Sequence, residues 1–372
     1  MNGRQRILAA LGGGDADRIP LVEIGIWPET LRRWRAEGLP QGVSPHEYFG
    51  LDRIAFFSYD SGLGLPERVL SEQGGYRVYT DGDGCTYKMA VGQVSAPQFV
   101  ASSVGSPQDW LRLKTKLVPE LARFDSFRKD IVFGEPLAES QAQAYARAKR
   151  DGVFTVLVPL EPCWYYLRLL GEVEALANIA LAPEFAAAVI ADYNAFTLGM
   201  VKLVLQQGYR FDALWVFSDL CYKNGMLFSP AFYEQRVLPH QRELFDLARE
   251  NGLKVIYHCD GNVAQFLPLV LRAGIDCIQP LEARAGNQVA EVLRQYPGRL
   301  SCMGNIDMDA FGGPPAGVRE RIRAEVTAKI LSAKPSRRYL FHSDHSVPDS
   351  VSLENYGYAI QVAKEVAGYE HP

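Results

Sequence analysis

Strand-like and helix-like stretches alternate over most of this sequence. Short apolar runs recur along the chain, and from about residue 150 each is followed by a longer stretch with helical periodicity. The runs are 18–25, 54–60, 154–160, 213–217, 253–258, 276–279, 300–304 and 339–342. Regular alternation of this kind predicts a parallel sheet covered by helices.

Eight strand–helix units predict an α/β fold of the (β/α)8 TIM-barrel type, whose functional groups lie on loops after the carboxyl ends of the strands. An open, doubly wound sheet is the alternative, but no G-x-G-x-x-G loop follows the first run. No linker rich in Pro, Gly or Ser divides the chain, so we predict a single domain over 1–372. Within it, 3–12 is a predicted N-terminal helix, and 65–150 is a predicted insertion of hairpins and helices.

Composition excludes several classes of function. A formal net charge of −4 is too small to indicate a nucleic-acid partner. The sequence contains no stretch of eighteen uncharged apolar residues, and its first residues lack the apolar core of a signal peptide, so we expect no membrane association and a cytoplasmic location. The six cysteines have no C-x-x-C spacing, which indicates free thiols.

The run Leu253–His258 is followed at once by Cys259, Asp260 and Gly261. Because residues two apart in an extended strand point to the same side, His258 and Asp260 form the natural pair and Cys259 faces the other way. The alternative is a plain strand end, at which His258 caps a turn and Asp260 caps the next helix.

Polar residues concentrate just after the predicted strands. If the barrel prediction is right, these residues share one mouth. They are Tyr59, Asp60, Glu161, Ser218, Asp219, His258, Asp260, Gln279, Glu282, Asn305, Asp307, His342, Asp344 and His345. Asp60 and Asp307 are also expected to act as helix N-caps.

This group contains the elements of a metal site. His258, Asp260 and His345 would supply two imidazoles and one carboxylate, leaving a coordination position open for water or substrate. Such nitrogen and oxygen ligands suit a divalent transition metal, with zinc as the first choice and iron, manganese or nickel as alternatives. A hydrogen-bonded His–Asp network without metal is the competing interpretation.

Other residues of the same mouth are candidates for catalysis and substrate binding. Asp219, Glu282 and His342 are the candidate acid–base groups. Aromatic side chains near the strand ends would provide the walls of a pocket, although Trp215, inside a strand, is expected in the core. The candidate substrate contacts are Trp27, Tyr59, Asp60, Glu161, Trp164, Gln279 and Asn305.

Several short fragments follow one another in a characteristic order along the chain. They include Asp17-Arg18-Ile19-Pro20, Phe217-Ser218-Asp219-Leu220, Gln279-Pro280-Leu281 and Gly304-Asn305-Ile306-Asp307. No fragment is specific alone, but in their order and spacing the sequence resembles the uroporphyrinogen decarboxylase superfamily. The resemblance implies a (β/α)8 barrel, often a homodimer.

Two chemistries occur in that superfamily. The tetrapyrrole decarboxylases carry an R-Q-A-G-R segment, whereas 22–27 of this chain contains no arginine. Without such cations, a substrate with many carboxylates would be costly to bury. The other branch, the corrinoid-linked methyltransferases, binds zinc through His-x-Cys and a later Cys. His258 matches the histidine, Asp260 stands at the first cysteine and His345 lies near the last.

The resemblance therefore implies a metal-dependent enzyme closer to the methyltransferase branch than to true uroporphyrinogen decarboxylase. We expect methyl transfer, by O-demethylation or linked to a corrinoid, or a related cleavage of a small organic substrate. Replacement of thiolates by a carboxylate and an imidazole favours an oxygen-bearing substrate. The alternatives are a metal-free carboxy-lyase and a non-catalytic corrinoid- or tetrapyrrole-binding protein. No Asp-x-His-x-x-Gly pattern is present, so a corrinoid would be carried by a partner protein.

Overall fold

A computed structural model describes residues 1–92, 97–129, 136–313 and 316–369. Its strands are β1 (Ile54–Phe57), β2 (Arg68–Gln73), β3 (Tyr76–Thr80), β4 (Thr86–Ala90), β5 (Gln98–Ala101), β6 (Phe154–Leu157), β7 (Ala213–Phe217), β8 (Cys221–Tyr222), β9 (Gly225–Met226), β10 (Lys254–Cys259), β11 (Cys277–Pro280), β12 (Ser301–Met303) and β13 (Tyr339–Leu340). Its α-helices are α1 (Gly3–Gly12), α2 (Pro28–Ala36), α3 (Pro45–Phe49), α4 (Pro107–Leu113), α5 (Leu121–Asp125), α6 (Gln141–Arg150), α7 (Pro162–Leu170), α8 (Glu172–Leu181), α9 (Pro183–Gln206), α10 (Pro230–Phe232), α11 (Leu238–Glu250), α12 (Leu267–Val270), α13 (Val289–Gln295), α14 (Val318–Ala333) and α15 (Leu353–Ala367).

Seven strands form one sheet in the order β1-β6-β7-β10-β11-β12-β13, and every pair is parallel. These strands coincide with seven of the eight predicted runs. The prediction of a helix-covered parallel α/β sheet is therefore confirmed.

The predicted strand at 18–25 is wrong. This segment makes only isolated bridges, with Leu21 paired to Phe341 beyond the end of β13. The backbone N–H groups of Ile24 and Gly25 donate to the side chain of Glu23, at 3.1 and 3.4 Å. Local bonds of this kind compete with a strand ladder, so no regular pairing develops here.

A buried carboxylate holds the same segment against β1. The carboxylate of Asp52 forms ion pairs with the guanidinium groups of Arg6, at 2.9 Å, and Arg18, at 2.7 Å. Its Oδ2 also accepts the backbone N–H of Leu21 at 2.9 Å, while its own N–H donates to the carbonyl of Leu21 at 2.7 Å. Asp52 thus joins α1 and the 18–21 segment to the start of β1.

The sheet is curled, and the side chains on its concave face form a cluster of their own. Strand pleating sends alternate residues inward. The cluster contains Val22, Phe154, Val156, Val158, Ala213, Trp215, Ile256, Cys277, Met303 and Leu340. From α1, Ile7, Ala10 and Leu11 pack beneath them. The residues that alternate with these along each strand pack outward against the helices. Ile256 belongs to the inner cluster, and His258, two residues further along β10, lies on the same inner side.

The insertion predicted at 65–150 contains a second sheet. Strands β2 to β5 form a four-stranded antiparallel sheet in sequence order, and α4, α5 and α6 follow it. Residues 93–96 and 130–135 of the insertion lie outside the described residues. Treatment of 1–372 as one domain stays a prediction.

Helix α9 is long and apolar enough to cross a membrane by length and composition alone. In this fold it belongs to the core, where Val189, Ile190, Tyr193 and Met200 are fully buried. A core helix of a packed protein meets the same criterion. The cytoplasmic location stays a prediction.

Candidate active site

Neighbouring strands position the imidazole of His258. In the register of the sheet His258 lies between Phe217 on β7 and Gln279 on β11. The Phe217 ring stacks on the imidazole, with centroids 4.2 Å apart and planes 10° from parallel. The Nδ1–H of His258 donates to Oε1 of Gln279 at 2.5 Å. Nε2 is therefore the nitrogen left for other partners.

Two carboxylates surround that nitrogen. Nε2 of His258 is 3.4 Å from Asp219 Oδ1 and 3.9 Å from Asp260 Oδ1. One potential ligand atom from each of these three residues lies within 4.8 Å of the other two. Asp260 Oδ1 is buried and has no hydrogen-bond partner among the described residues. An unsatisfied buried oxygen is costly, so this atom is suited to a cation.

His345 approaches Asp260 from the other side. Its Nε2 lies 3.3 Å from Asp260 Oδ2, and its side chain is 37% exposed. The structure thus brings the three predicted ligands to one place, although His345 is not part of the compact group. Asp219, assigned from the sequence to acid–base chemistry, joins that group instead.

The charges of this group reinforce one another. Burial opposes protonation of His258, but its hydrogen bond to Asp219 and the nearby charges of Asp260 and Asp219 raise its pKa to about 9. The hydrogen bond to Asp260 raises the pKa of His345, against the opposing effect of burial. Burial favours the neutral form of Asp260, but the hydrogen bond from His345 and the two imidazolium charges lower its pKa. Metal binding would have to displace the proton held by His258.

A cavity of about 180 Å³ opens beside His258. Its walls combine aromatic rings with imidazoles. The lining residues are Ile24, Gly25, Trp27, Phe56, Trp215, Phe217, His258, Asp260, Gln279, Pro280, His342, His345 and Ser346. Ligand pockets of drug-sized molecules are larger, about 300–1,000 Å³. An apolar cavity of about 150 Å³ accepts benzene, so this one accommodates a molecule or group of that size.

A buried acid–imidazole pair that the sequence did not predict lies at the cavity wall. Glu23 Oε1 lies 3.1 Å from Nε2 of His342 and accepts the hydroxyl of Ser343 at 2.9 Å. Glu23 Oε2 accepts the hydroxyl of Tyr356 at 3.1 Å. The available signal was a single acidic residue within the apolar run 21–26.

Both ring nitrogens of His342 are engaged. Nε2 faces the Glu23 carboxylate, and Nδ1 lies 2.5 Å from the carbonyl oxygen of Ser343. The backbone N–H of Ile24 is 3.3 Å from Nε2 but closer, at 3.1 Å, to Glu23 Oε1, which is the better acceptor. These contacts fix the orientation of the His342 ring at the cavity wall.

The structure gives Glu282 and Asn305 supporting positions outside this cavity. Glu282 Oε2 accepts the N–H of Gly261 at 2.9 Å and so fixes the turn after Asp260. Asn305 is fully buried with φ +69°. Its Oδ1 accepts from the N–H of Val289 and from Lys329, while its amide donates to two backbone carbonyls.

Three other predicted contacts also lie elsewhere. Tyr59 is buried in the outer core, edge-on to Phe196 at 6.1 Å. Asp60 is half exposed and 3.8 Å from Arg123. Trp164 lines a separate, larger cavity.

Glu161 is buried as the N-cap of α7. One of its oxygens accepts the N–H of Trp164 at 2.7 Å, and the other accepts the amide of Gln241 at 3.1 Å. Burial raises the pKa of Glu161 to about 7, although these donors oppose the shift. It does not line the 180 Å³ cavity.

The fold and this site place the chain among α/β proteins that collect polar side chains at the carboxyl ends of parallel strands. The chain belongs to the uroporphyrinogen decarboxylase family. The model described as Uroporphyrinogen decarboxylase (URO-D) matches residues 174–366, just over half of the chain. The predicted resemblance is confirmed.

Two further similarities agree with that membership. A uroporphyrinogen decarboxylase from Carboxydothermus hydrogenoformans is 30% identical over 143 residues, which are 38% of this chain and 39% of that enzyme. The match thus spans well under half of the curated relative. A methyltransferase from Methanosarcina mazei has the same fold, with a TM-score of 0.62, 14% identity, and coverage of 98% of this chain and 99% of that one.

Proposed function

We propose that the chain is a metal-dependent enzyme that transfers a methyl group from, or cleaves a related bond in, a small organic substrate. The observation that carries the proposal is the group formed by Asp219, His258 and Asp260, which includes a buried carboxylate oxygen without a partner. The shared fold with a methyltransferase supports this class of reaction. We also propose that residues 20–26, which lie beside β13, take the place of an eighth strand and complete a barrel.

The donor set fits a divalent transition metal. Asp219, His258 and Asp260 would hold it, with His345 as an additional ligand, and Gln279 would keep the His258 ring in its binding orientation. Imidazole and carboxylate ligands make zinc the first choice. When bound, the metal would supply a Lewis acid for a substrate oxygen.

The protein's own side chains would orient the substrate and stabilise charge. Trp27, Phe56 and Phe217 would pack around an apolar group of about the size of a benzene ring. Of the three acid–base candidates, Asp219, Glu282 and His342, only His342 lines the cavity. Because Glu23 fixes its ring, His342 would present its imidazole to the substrate in one orientation, as electrostatic stabilisation of a reacting group requires.

A metal-free carboxy-lyase is the second candidate, favoured by the match to a uroporphyrinogen decarboxylase. Against it, no arginine or lysine lines the 180 Å³ cavity within the described part of the chain, whereas a substrate with several carboxylates would require cations. A cavity of this size is also too small to enclose a corrinoid or tetrapyrrole ring. A corrinoid acceptor would therefore be carried by a partner protein. Homodimer formation stays a prediction.

Metal analysis tests the proposal. The purified protein is incubated with zinc, freed of excess metal and analysed by mass spectrometry, together with His258→Ala and His240→Ala. His240 lies on α11, outside the candidate site, and serves as the matched control. We expect about one zinc per chain in the wild type and in His240→Ala, and a loss of zinc in His258→Ala. Zinc-free wild type, or equal zinc in all three proteins, would contradict the proposal.

A further inference from the structure

A large cavity lies away from the candidate active site. It has a volume of about 770 Å³ and shares no lining residue with the 180 Å³ cavity. One wall is the antiparallel sheet of β3, β4 and β5, and the other is the junction of α7 with α8. Its volume lies within the usual range for small-molecule sites, about 300–1,000 Å³.

The sheet wall carries a row of aromatic rings. Tyr79 on β3 pairs with Tyr87 on β4, and Tyr87 pairs with Phe99 on β5. Cross-strand partners point to the same face of a sheet. The Tyr79 and Tyr87 rings stack with centroids 5.9 Å apart, and the Tyr87 ring meets Phe99 edge-on at 5.6 Å. The row is therefore a continuous aromatic surface.

The opposite wall, at the junction of α7 with α8, packs closely against the aromatic row at Phe99. Gly171, between α7 and α8, has φ +78°, and a Cβ there would lie 2.4 Å from Cε1 of Phe99. Only glycine permits this close approach without a shift. From α7, Trp164 and Arg168 also line the cavity.

The unsatisfied polar groups on the α7 wall are hydrogen-bond donors. Arg168 makes no hydrogen bond and no ion pair with any described residue. The Nε1–H of Trp164 is buried and likewise has no partner in the described ranges. Three carboxylates also line the cavity: Asp81 on the sheet wall, and Glu172 and Glu174 at the start of α8. The Oδ1 of Asp81 already accepts the N–H groups of Asp83 and Cys85, at 3.0 and 2.9 Å. On the α7 side, where Trp164 and Arg168 lie, a ligand should therefore bring acceptors.

We propose that this cavity is a second binding site, specific for a planar aromatic molecule that carries a carboxylate. The ring of the ligand would stack on the surface formed by Tyr79, Tyr87 and Phe99. Its carboxylate would accept hydrogen bonds from the guanidinium group of Arg168. Arginine binds carboxylates through two parallel N–H donors, which provides both affinity and orientation. The site does not depend on the metal or on the reaction proposed above.

Binding of 2-naphthoate tests the proposal by isothermal titration calorimetry of the full-length protein. Arg168→Gln is the test variant. Arg294→Gln is its matched control, because Arg294 is an exposed arginine on α13 that lines neither cavity. We expect one 2-naphthoate per chain, with affinity roughly tenfold to a hundredfold weaker in Arg168→Gln and unchanged in Arg294→Gln. Because Arg168 makes no hydrogen bond or ion pair with a described residue and acts on Asp81 and Asp83 only through longer-range charge, its replacement should change the melting temperature little.

Three further measurements separate the competing explanations. His258→Ala should bind 2-naphthoate as the wild type does, which shows that the probe does not occupy the 180 Å³ cavity. The uncharged 2-naphthamide should bind at least tenfold more weakly, and so should 2-naphthylmethylamine, which would instead be favoured if the carboxylates Asp81, Glu172 and Glu174 were the anchor. No saturable binding of 2-naphthoate, equal effects of Arg168→Gln and Arg294→Gln, or tighter binding of the amine would overturn the proposal.

Discussion

Glu161 should make the stability of this protein depend on pH in a direction opposite to that of most carboxylates. Its side chain is fully buried, and no cation among the described residues forms an ion pair with it. Its partners are neutral donors: the N–H of Trp164 at 2.7 Å, Gln241 at 3.1 Å and the hydroxyl of Ser218 at 3.4 Å. Because the cost of burying the charge exceeds the effect of these donors, the folded protein holds this proton more tightly than the unfolded chain does.

The magnitude follows from the pKa values of the two states. Burial raises the pKa of Glu161 from 4.5 to about 7. Between these values the native state binds more protons than the unfolded state, so stability falls as pH rises and levels off above about 7. At about 1.4 kcal/mol per pKa unit, Glu161 should remove at most about 3 kcal/mol of unfolding free energy between pH 4.5 and pH 8.

Urea unfolding of the wild type and of Glu161→Gln between pH 4.5 and 8 measures this effect. The amide cannot ionise, so the variant should gain up to about 3 kcal/mol relative to the wild type as pH rises. Any fixed cost of the amide is the same at every pH and cancels from the slope. Glu320→Gln, an exposed residue of α14, is the control and should parallel the wild type. Parallel profiles for Glu161→Gln and the wild type would refute the reasoning.

The remaining predictions concern packing, the ion-pair anchor and the metal. Asp52→Ala should lower the unfolding free energy by roughly 3–5 kcal/mol, because it leaves two arginines without their buried partner; Asp15→Ala, at an almost fully exposed position, should have little effect in the same urea titration. Gly171→Ala should cost about 3 kcal/mol or more through backbone strain and contact with Phe99, whereas Gly208→Ala, where φ is +92° but the space is open, should cost only roughly 1–2 kcal/mol; equal losses would argue against the contact. Zinc at about 1,000 times its dissociation constant should stabilise the wild type by about 4 kcal/mol in thermal unfolding and should not stabilise His258→Ala.

The pattern of apolar runs predicted most of the sheet because the residues that make a segment a buried strand are adjacent in sequence. Strands β10 and β11 are short apolar runs ended by polar or turn-forming residues, and a buried parallel strand needs little more. The run at 18–25 has the same appearance but is not a strand. Its one acidic side chain, Glu23, accepts hydrogen bonds from the N–H groups of Ile24 and Gly25. These bonds compete with strand pairing, and the pattern of apolar residues does not predict them.

For the candidate site, too, the features set by local sequence could be predicted and those set by distant contacts could not. The pairing of His258 with Asp260 depends only on the two-residue repeat of a strand, so it could be stated from the sequence. The position of Asn305, outside the cavity, depends on Leu281 and Val289, with which its side chain forms hydrogen bonds. No repeat in the sequence relates such partners.

Local side-chain order thus determined which segments became strands and which face of each strand carries polar groups. The curvature and register of the whole sheet determined which faces meet. These bring His345 to Asp260 across 85 positions of sequence and Glu23 to His342 across 319, and they place Trp164 in a different cavity from His258. Contacts between distant segments depend on the packing of all the intervening elements, so the periodicity of any one segment cannot specify them.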